Sequence, residues 1–179
     1  MNVVVTVRRE HPRDAETIAQ VVQRAYADVP YSDHREHIMV DLMRASDAYI
    51  PELSLLAEVN GEAVGHVLLT KAHIGFGYSA FPTLALAPLS VVPAFQRQGI
   101  SKLLISYAHD QSAALGFATI LLVCIPNYYQ QFGYERLSRC PIKLPFDAPD
   151  ANCMILPLKP GALDGVSGIV CYAEGWLEH

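Results

Sequence analysis

Two apolar segments joined by the dipeptide Asn60-Gly61 limit the fold of this chain more than any other feature. Residues 53–59 and residues 62–70 are rich in leucine and valine, and apolar runs bounded by turn residues favour strands. Asn-Gly meets the positive φ angles that a type I′ turn requires, and this turn commonly closes two-residue hairpins. The segment therefore predicts a β-hairpin.

A proline interrupts the next predicted strand. Residues 83–92 form an apolar run with Pro88 inside it. Because proline has no N–H to give to a sheet ladder, we expect pairing to break on one side of this strand, as a bulge or a splay. After Gly99, the spacing of the apolar residues predicts a helix, and Gly116 is well placed to end it.

Shorter segments complete the predicted order. Pro12 opens a predicted helix with acidic residues in its first turn, and Ser32 is the predicted cap of a second helix. This helix pair is a candidate substrate lid, and residues 141–150 are a loop rich in Pro and Asp. The other predicted elements are strands at residues 3–7, 119–125, 134–138 and 154–158 and a short helix at residues 128–132.

The composition indicates one domain and excludes several classes of function. The chain has 179 residues, of which 51% are hydrophobic, and this suits one domain over residues 1–176 with a sizeable core. A formal net charge of -5 gives no electrostatic reason to expect DNA or RNA binding. No apolar run approaches the roughly 18 residues that cross a bilayer, and the apolar stretch near the N-terminus is too short for a signal peptide. We expect a soluble cytoplasmic protein with no membrane partner.

The cysteines and the last three residues carry no functional signal. Cysteines at positions 124, 140, 153 and 171 lack the tight spacing of metal ligands, so they are predicted to be reduced thiols, three of them in apolar surroundings. Residues 177–179, Leu-Glu-His, look like the start of an expression tag and are left out of the predicted domain.

The step from the Pro88 strand through Gly99 into a helix is a candidate phosphate site. It places several free backbone N–H groups at a helix N-terminus, where phosphate oxygens bind. Gly99 allows close approach of a ligand, and Arg97 and Lys102 add positive charge. The alternative is an ordinary strand-loop-helix connection, and spacing alone favours that alternative.

Two stretches resemble the GNAT superfamily of N-acetyltransferases. The segment LSVVPAFQRQGISKLLI is similar to the family's acetyl-CoA signature, with Gln96 and Gly99 matching and Ser101 standing where Gly or Ala is usual. The segment NYYQQFGYE is similar to a second family motif, in which Tyr129 lies four residues before Gly133. The resemblance covers roughly residues 1–140, and the tail MILPLKPGALDGVSGIVCY looks like a bacterial branch of predicted GNAT enzymes with undefined substrates.

The resemblance implies a fold and a donor. The implied fold is α/β (α+β), with a GNAT-like mixed, mostly antiparallel central sheet flanked by helices and a splayed strand pair. The implied co-substrate is acetyl-CoA, whose pantetheine arm would lie in the splay and bond to backbone at Leu89 and Val91, with no metal required. The implied cofactor-binding residues are Leu89, Ser90, Val91, Gln96, Arg97, Gln98, Gly99, Ile100, Ser101, Lys102 and Asn127.

Catalytic roles follow from the same resemblance and from residue chemistry. In the family the tyrosine at the position of Tyr129 protonates the departing thiolate, a role that suits a phenol near developing negative charge. The acceptor amine must lose a proton, and His66 is the best candidate base. The alternative is that His66 is a hydrogen-bonded core residue, and Glu58, His73 or water relaying to bulk are other candidates.

Two further groups have competing interpretations. A metal site is conceivable in the polar cluster before and within the second helix, but a solvated polar face is favoured, and the same cluster suits a cationic substrate. Cys124 has no histidine neighbour in sequence, which disfavours an acyl-cysteine intermediate. The polar cluster consists of Asp33, His34, Glu36, His37 and Asp41.

The sequence as a whole predicts an acetyl-CoA-dependent N-acetyltransferase in which a primary amine of a small molecule or peptide attacks the thioester directly. The alternative is a non-catalytic acyl-CoA-binding or sensory module with the same fold. A nucleotide-binding protein is disfavoured because no P-loop or dinucleotide fingerprint is present. A homodimer is conceivable. The sequence does not identify the acceptor, because the residues that select it are expected in the helices of residues 26–47 and the loop of residues 141–150, which contain no known motif.

Overall fold

The predicted hairpin is confirmed and forms two neighbouring strands of the sheet in the computed structural model, which describes residues 3–176. Asn60 and Gly61 have φ angles of 52° and 80°, as a type I′ turn requires. The predicted tag at residues 177–179 lies outside the described residues. The helices are α1 (Ala15–Tyr26), α2 (Glu36–Arg44) and α3 (Ile100–Ala114). The strands are β1 (Val5–Arg9), β2 (Ser54–Val59), β3 (Glu62–Ile74), β4 (Phe81–Val91), β5 (Thr119–Val123), β6 (Glu135–Arg136), β7 (Ile142–Lys143), β8 (Cys153–Pro157) and β9 (Gly168–Cys171).

These strands form one mixed sheet. Its main order is β1-β2-β3-β4-β5-β8-β6, and β9 joins it beside the end of β3 and pairs with β7. Every pair along the main order is antiparallel except β4 with β5, which is parallel. The fold class predicted from the sequence, a mostly antiparallel sheet flanked by helices, is confirmed.

The break predicted on one side of the Pro88 strand is present, and pairing is irregular on both sides of β4. Against β3, Leu86 lies opposite Leu69 and Leu89 lies opposite Val67, so two residues of β4 face one of β3, which is a β-bulge. Against β5, pairing is restricted to two steps, at Leu84 and Ala85. Beyond those steps β4 and β5 separate, and a gap opens between their C-terminal ends.

The helices cover opposite faces of the sheet. One core cluster packs α3 against the sheet, and the other packs α1 and α2 against the opposite face. Helix α3 lies close to β3 because Gly65 has no side chain, and a Cβ there would lie 3.1 Å from Leu104. Helix α3 ends as predicted, since Gly116 has a φ of 89° and donates to the Ala113 carbonyl at 3.0 Å, as in a Schellman motif.

Several predictions about short elements were wrong. Helix α2 begins at Glu36 with Arg35 as its N-cap, so Ser32 does not cap it. The strand predicted at residues 134–138 is only two residues long, because a 3₁₀ turn begins at Leu137. Strands β7 and β9 were not predicted, since they contain two and four residues and carry too few positions to show an alternating pattern.

Candidate active site

The gap between β4 and β5 is lined by backbone polar groups of β4. The Val92 N–H donates to the Val64 carbonyl of β3 at 2.9 Å, and backbone groups alternate sides along a strand. The groups of Leu89 and Val91 therefore point away from β3 and into the gap. Both were predicted to bind a cofactor through backbone; the structure places their backbone groups at the gap, and the binding role stays a prediction.

Ser90 does not share this arrangement. It lies opposite His66 in the β3–β4 ladder, so its backbone groups turn toward β3 and not into the gap. Its side chain is 1% exposed, and its hydroxyl has no hydrogen-bond partner among the described residues. The structure therefore does not support Ser90 as a backbone ligand in the gap.

Side chains already bond to the carbonyls that face the gap. The Tyr26 hydroxyl, at the end of α1, donates to the Leu89 carbonyl at 3.1 Å. The Gln96 amide donates to the Val91 carbonyl at 3.0 Å. Gln98 donates in the same way to the Ala94 carbonyl at 3.2 Å. Gln96 and Gln98 thus shape the loop before α3, and their side chains are engaged with that loop.

The loop between β4 and α3 places the N-terminus of α3 beside the gap. Arg97 and Gly99 have positive φ angles of 61° and 84°, which reverse the chain within a few residues. The side chain of Ile100 is 2% exposed and packs in the core, so only its backbone can contact a ligand. Lys102 is exposed. The first N–H groups of α3 and the positive charges of Arg97 and Lys102 therefore lie at the same end of the helix, an arrangement that suits an anion.

Ser101 joins this helix end to the loop after β5. Its hydroxyl is hydrogen-bonded to the Tyr128 hydroxyl at 2.8 Å. Asn127, the residue before, is exposed and has a φ of 72°. Tyr128 in turn lies edge-on to Tyr129, with ring centroids 5.1 Å apart. A hydrogen bond thus links the start of α3 to the loop after β5.

Tyr129 lies inside this aromatic group. It is 3% exposed and packs edge-on against Tyr134 at 5.5 Å. Burial raises the pKa of the Tyr129 phenol well above its ordinary value, and its neighbour Cys124 raises it further through charge and a hydrogen bond. The phenol therefore stays protonated throughout the neutral range, which is the state a proton donor needs.

A model of the GNAT acetyltransferase domain matches residues 6–137, which is well over half of the chain. The chain belongs to the GNAT acetyltransferase family. Its relatives include the uncharacterized N-acetyltransferase YjhQ of Escherichia coli, which is 31% identical over 122 residues; this match spans 68% of the chain and 65% of YjhQ, slightly under two thirds of that relative. The uncharacterized N-acetyltransferase YhbS of the same organism is 23% identical over 94% of the chain and 96% of YhbS.

Solved structures agree with this membership. A GNAT family acetyltransferase from Brucella melitensis, crystallised with acetyl-CoA, has a TM-score of 0.78 and 31% identity, with 97% of this chain and 98% of that one covered. YhbS from Escherichia coli, crystallised with CoA, has a TM-score of 0.87 at 22% identity, with 98% and 93% covered. The second likeness shows the shared GNAT fold.

His66, the predicted base, belongs to a buried charged network of this GNAT domain. It is fully buried, its Nε2 is 2.9 Å from the Ser54 hydroxyl, and burial lowers its pKa. Its Nε2 is also 3.8 Å from Glu10. Arg44 bonds to Glu10 at 2.7 Å and the Tyr49 hydroxyl donates to it at 2.5 Å. This placement favours the alternative in which His66 is a core residue.

Glu10 itself was missed by the sequence analysis. Burial opposes its ionisation, but His66 and the hydrogen bonds from Arg44, Ser54 and Tyr49 outweigh burial and lower its pKa far below the usual range. A single glutamate after a strand carries no local pattern, and its partners come from α2, β2 and the loop between them, so no signal in the sequence identifies it.

The other candidate groups are easily located. The four cysteines are free thiols, as predicted, and Cys124 lies at the end of β5 beside Tyr129. Among residues 3–176, no three His, Cys, Asp or Glu side chains are grouped to hold a metal ion. Nor does any helix in this part of the chain combine the length and apolar character needed to cross a bilayer.

Proposed function

We propose that this GNAT protein transfers the acetyl group of acetyl-CoA to a primary amine of a small molecule or peptide. The observation that carries the proposal is the gap between β4 and β5, with the backbone of Leu89 and Val91 facing into it and the N-terminus of α3 at its end. A narrow gap lined by backbone groups suits an extended amide-bearing arm, and the helix end suits a diphosphate. The acetyl-CoA bound to the Brucella melitensis relative supports the same assignment.

Acetyl-CoA supplies the activated acetyl group as a thioester. The N–H groups of Leu89 and Val91 point into the gap, where they stabilise the negative charge that develops on the acetyl oxygen during attack. The α3 N-terminus, with Arg97 and Lys102, holds the diphosphate. Beyond its chain neighbours, no atom of the described residues lies within 4 Å of the place where a Cβ of Gly99 would be, so the space beside the helix end is open. Because glycine has no side chain, a ligand can approach the backbone closely there.

Tyr129 supplies the proton that the departing thiolate takes up. Its burial keeps the phenol protonated, and Cys124 lies beside its hydroxyl at the end of β5. The acceptor amine gives its own proton to water, because the fully buried His66 has its Nε2 engaged with Ser54. The transfer is a direct one, in which the C–N bond forms and the C–S bond breaks without an enzyme-bound acetyl group.

Two measurements test this proposal. Acetyl-CoA is expected to raise the melting temperature by several degrees, while ATP and NAD leave it unchanged; no stabilisation by any CoA species would remove the main claim. Release of free CoA thiol is then measured over amines, amino acids and N-terminal peptides. Binding of acetyl-CoA without thiol release from any acceptor would point instead to a non-catalytic acyl-CoA-binding or sensory module.

A further inference from the structure

A cavity of about 290 Å³ lies beside the gap, between the end of α1 and the start of α2. Its volume is at the small end of the range for ligand sites. The cavity shares Tyr26 with the gap, since this is the tyrosine whose hydroxyl donates to the Leu89 carbonyl. A molecule in the cavity is therefore adjacent to the backbone where transfer is proposed. The lining residues are Gln23, Tyr26, Ala27, His34 and Glu36.

Glu36 is held in a fixed position at the wall of this cavity. The Ser32 hydroxyl donates to the Glu36 carboxylate and accepts from the His34 N–H at 2.9 Å. No other hydrogen bond or ion pair of the Glu36 carboxylate is found within residues 3–176. The carboxylate is partly exposed and lies in the first turn of α2, where a negative charge is stabilised. It therefore presents a positioned charge to the cavity without a counter-ion.

A carboxylate at this place suits an ammonium that does not react. The attacking amine must be neutral to have a lone pair, whereas a carboxylate favours the charged form of a nearby amine. Tyr26 lines the same cavity, and aromatic rings attract cations that lie over them. Glu36 is therefore better placed to hold a second cationic group of the acceptor than to hold the reacting one.

Resting on the proposed acetyl transfer, we propose that the acceptor is a small aliphatic diamine or polyamine. One amine enters the gap beside Leu89 and is acetylated, and the other, as an ammonium ion, binds the Glu36 carboxylate. Of the five polar residues that suggested a cationic substrate in the sequence, only His34 and Glu36 line the cavity. Asp41, in contrast, is bonded to Arg44.

The test compares diamines of three to six carbons with monoamines of the same length in the thiol-release assay, near pH 8. The diamine with the highest kcat/KM is expected to exceed its matched monoamine roughly tenfold in kcat/KM, which is the contribution of one charge-assisted hydrogen bond. Glu36→Gln is expected to lower kcat/KM for that diamine roughly tenfold and to leave the monoamine within about twofold. Glu16→Gln, an exposed carboxylate on α1, is the matched control and should change neither.

Each outcome decides the matter. Equal or better use of the monoamine by the unaltered protein overturns the inference, whether or not Glu36→Gln folds. Loss of transfer to monoamines and diamines alike in Glu36→Gln, with acetyl-CoA still raising its melting temperature, also overturns it, because the carboxylate would then act on the reacting amine. No transfer to any amine overturns the proposed function itself, whereas transfer to amino acids or peptides without use of diamines overturns only this inference.

Discussion

Replacing Tyr129 with phenylalanine tests the proposed proton donor separately from the rest of the site. The ring keeps its packing against Tyr128 and Tyr134, and only the hydroxyl beside Cys124 is removed. A lost hydroxyl hydrogen bond costs about 1 kcal/mol of folding stability, so the variant should fold and bind acetyl-CoA as before.

The expected effect on turnover follows from the leaving group. General acids contribute roughly 10²- to 10⁴-fold, and a thiol with a pKa near 8.5 is a good leaving group that needs little help. The loss for Tyr129→Phe should therefore lie near the low end, roughly 10²-fold in kcat, or about 2.7 kcal/mol of activation free energy. The loss should change little across the neutral range, because the thioester sulfur has no proton to lose and the buried Tyr129 phenol stays protonated there.

The assay is steady-state thiol release across pH with the best acceptor, together with the Kd of acetyl-CoA by calorimetry. Tyr128→Phe is the control, because it removes the neighbouring hydroxyl, which bonds to Ser101. It should change kcat by less than about threefold and act on CoA affinity instead. A kcat for Tyr129→Phe within about threefold of the unaltered protein at every pH, or an equal loss of kcat in Tyr128→Phe, would refute the assignment of Tyr129 as the acid.

Three further predictions concern the stability of the fold. Glu10→Gln should lower the free energy of unfolding by about 3 kcal/mol near pH 7, because it leaves Arg44 without its buried partner; Asp41→Asn, which removes the exposed partner of the same arginine, should cost about 1 kcal/mol or less by urea unfolding. Burial lowers the pKa of His109 from 6.5 to about 4, so the unfolded chain binds more protons and stability should fall as the pH drops from 6.5 to 4; His109→Gln should show a smaller fall in melting temperature over that window. Gly168→Ala should cost at least 1–3 kcal/mol, since its φ is 130° and a Cβ would lie 2.8 Å from the backbone of the β3–β4 connection, and a melting temperature equal to that of the unaltered protein would contradict this.

Local chemistry explains which parts of the fold were predictable. The Asn60-Gly61 turn, the break at Pro88 and the end of α3 at Gly116 each depend on one or two residues with strong backbone preferences, and all three were predicted. Strand β9 was missed because its four residues pair with β3 and β7, far away in sequence. The start of α2 was misplaced because Ser32 bonds forward to His34 and Glu36 without being the cap.

The residues of the candidate site also differ in how far the sequence predicts them. Gly99, Ser101 and Tyr129 are recognisable because they belong to contiguous motifs, whereas the partners that give them their setting come from other elements. Tyr26 bonds to the Leu89 carbonyl across 63 residues of sequence, and Glu10 bonds to Ser54 across 44. Such contacts depend on the packing of helices against the sheet, and the spacing of residues in a single sequence does not predict them.

The hydrogen bonds made by the backbone of Leu89 and Val91 also matter for the proposed stabilisation of the oxyanion. The carbonyls of Leu89 and Val91 face the gap, and both already accept hydrogen bonds from side chains, Tyr26 and Gln96. Their N–H groups face the same way, since the N–H and C=O of a strand residue point to the same side. In the proposed reaction, these inward-directed N–H groups are the donors available to the acetyl oxygen as it gains negative charge. In the two proposals, Tyr26 contacts both sites, because its hydroxyl bonds to the Leu89 carbonyl and its side chain lines the cavity proposed for the acceptor.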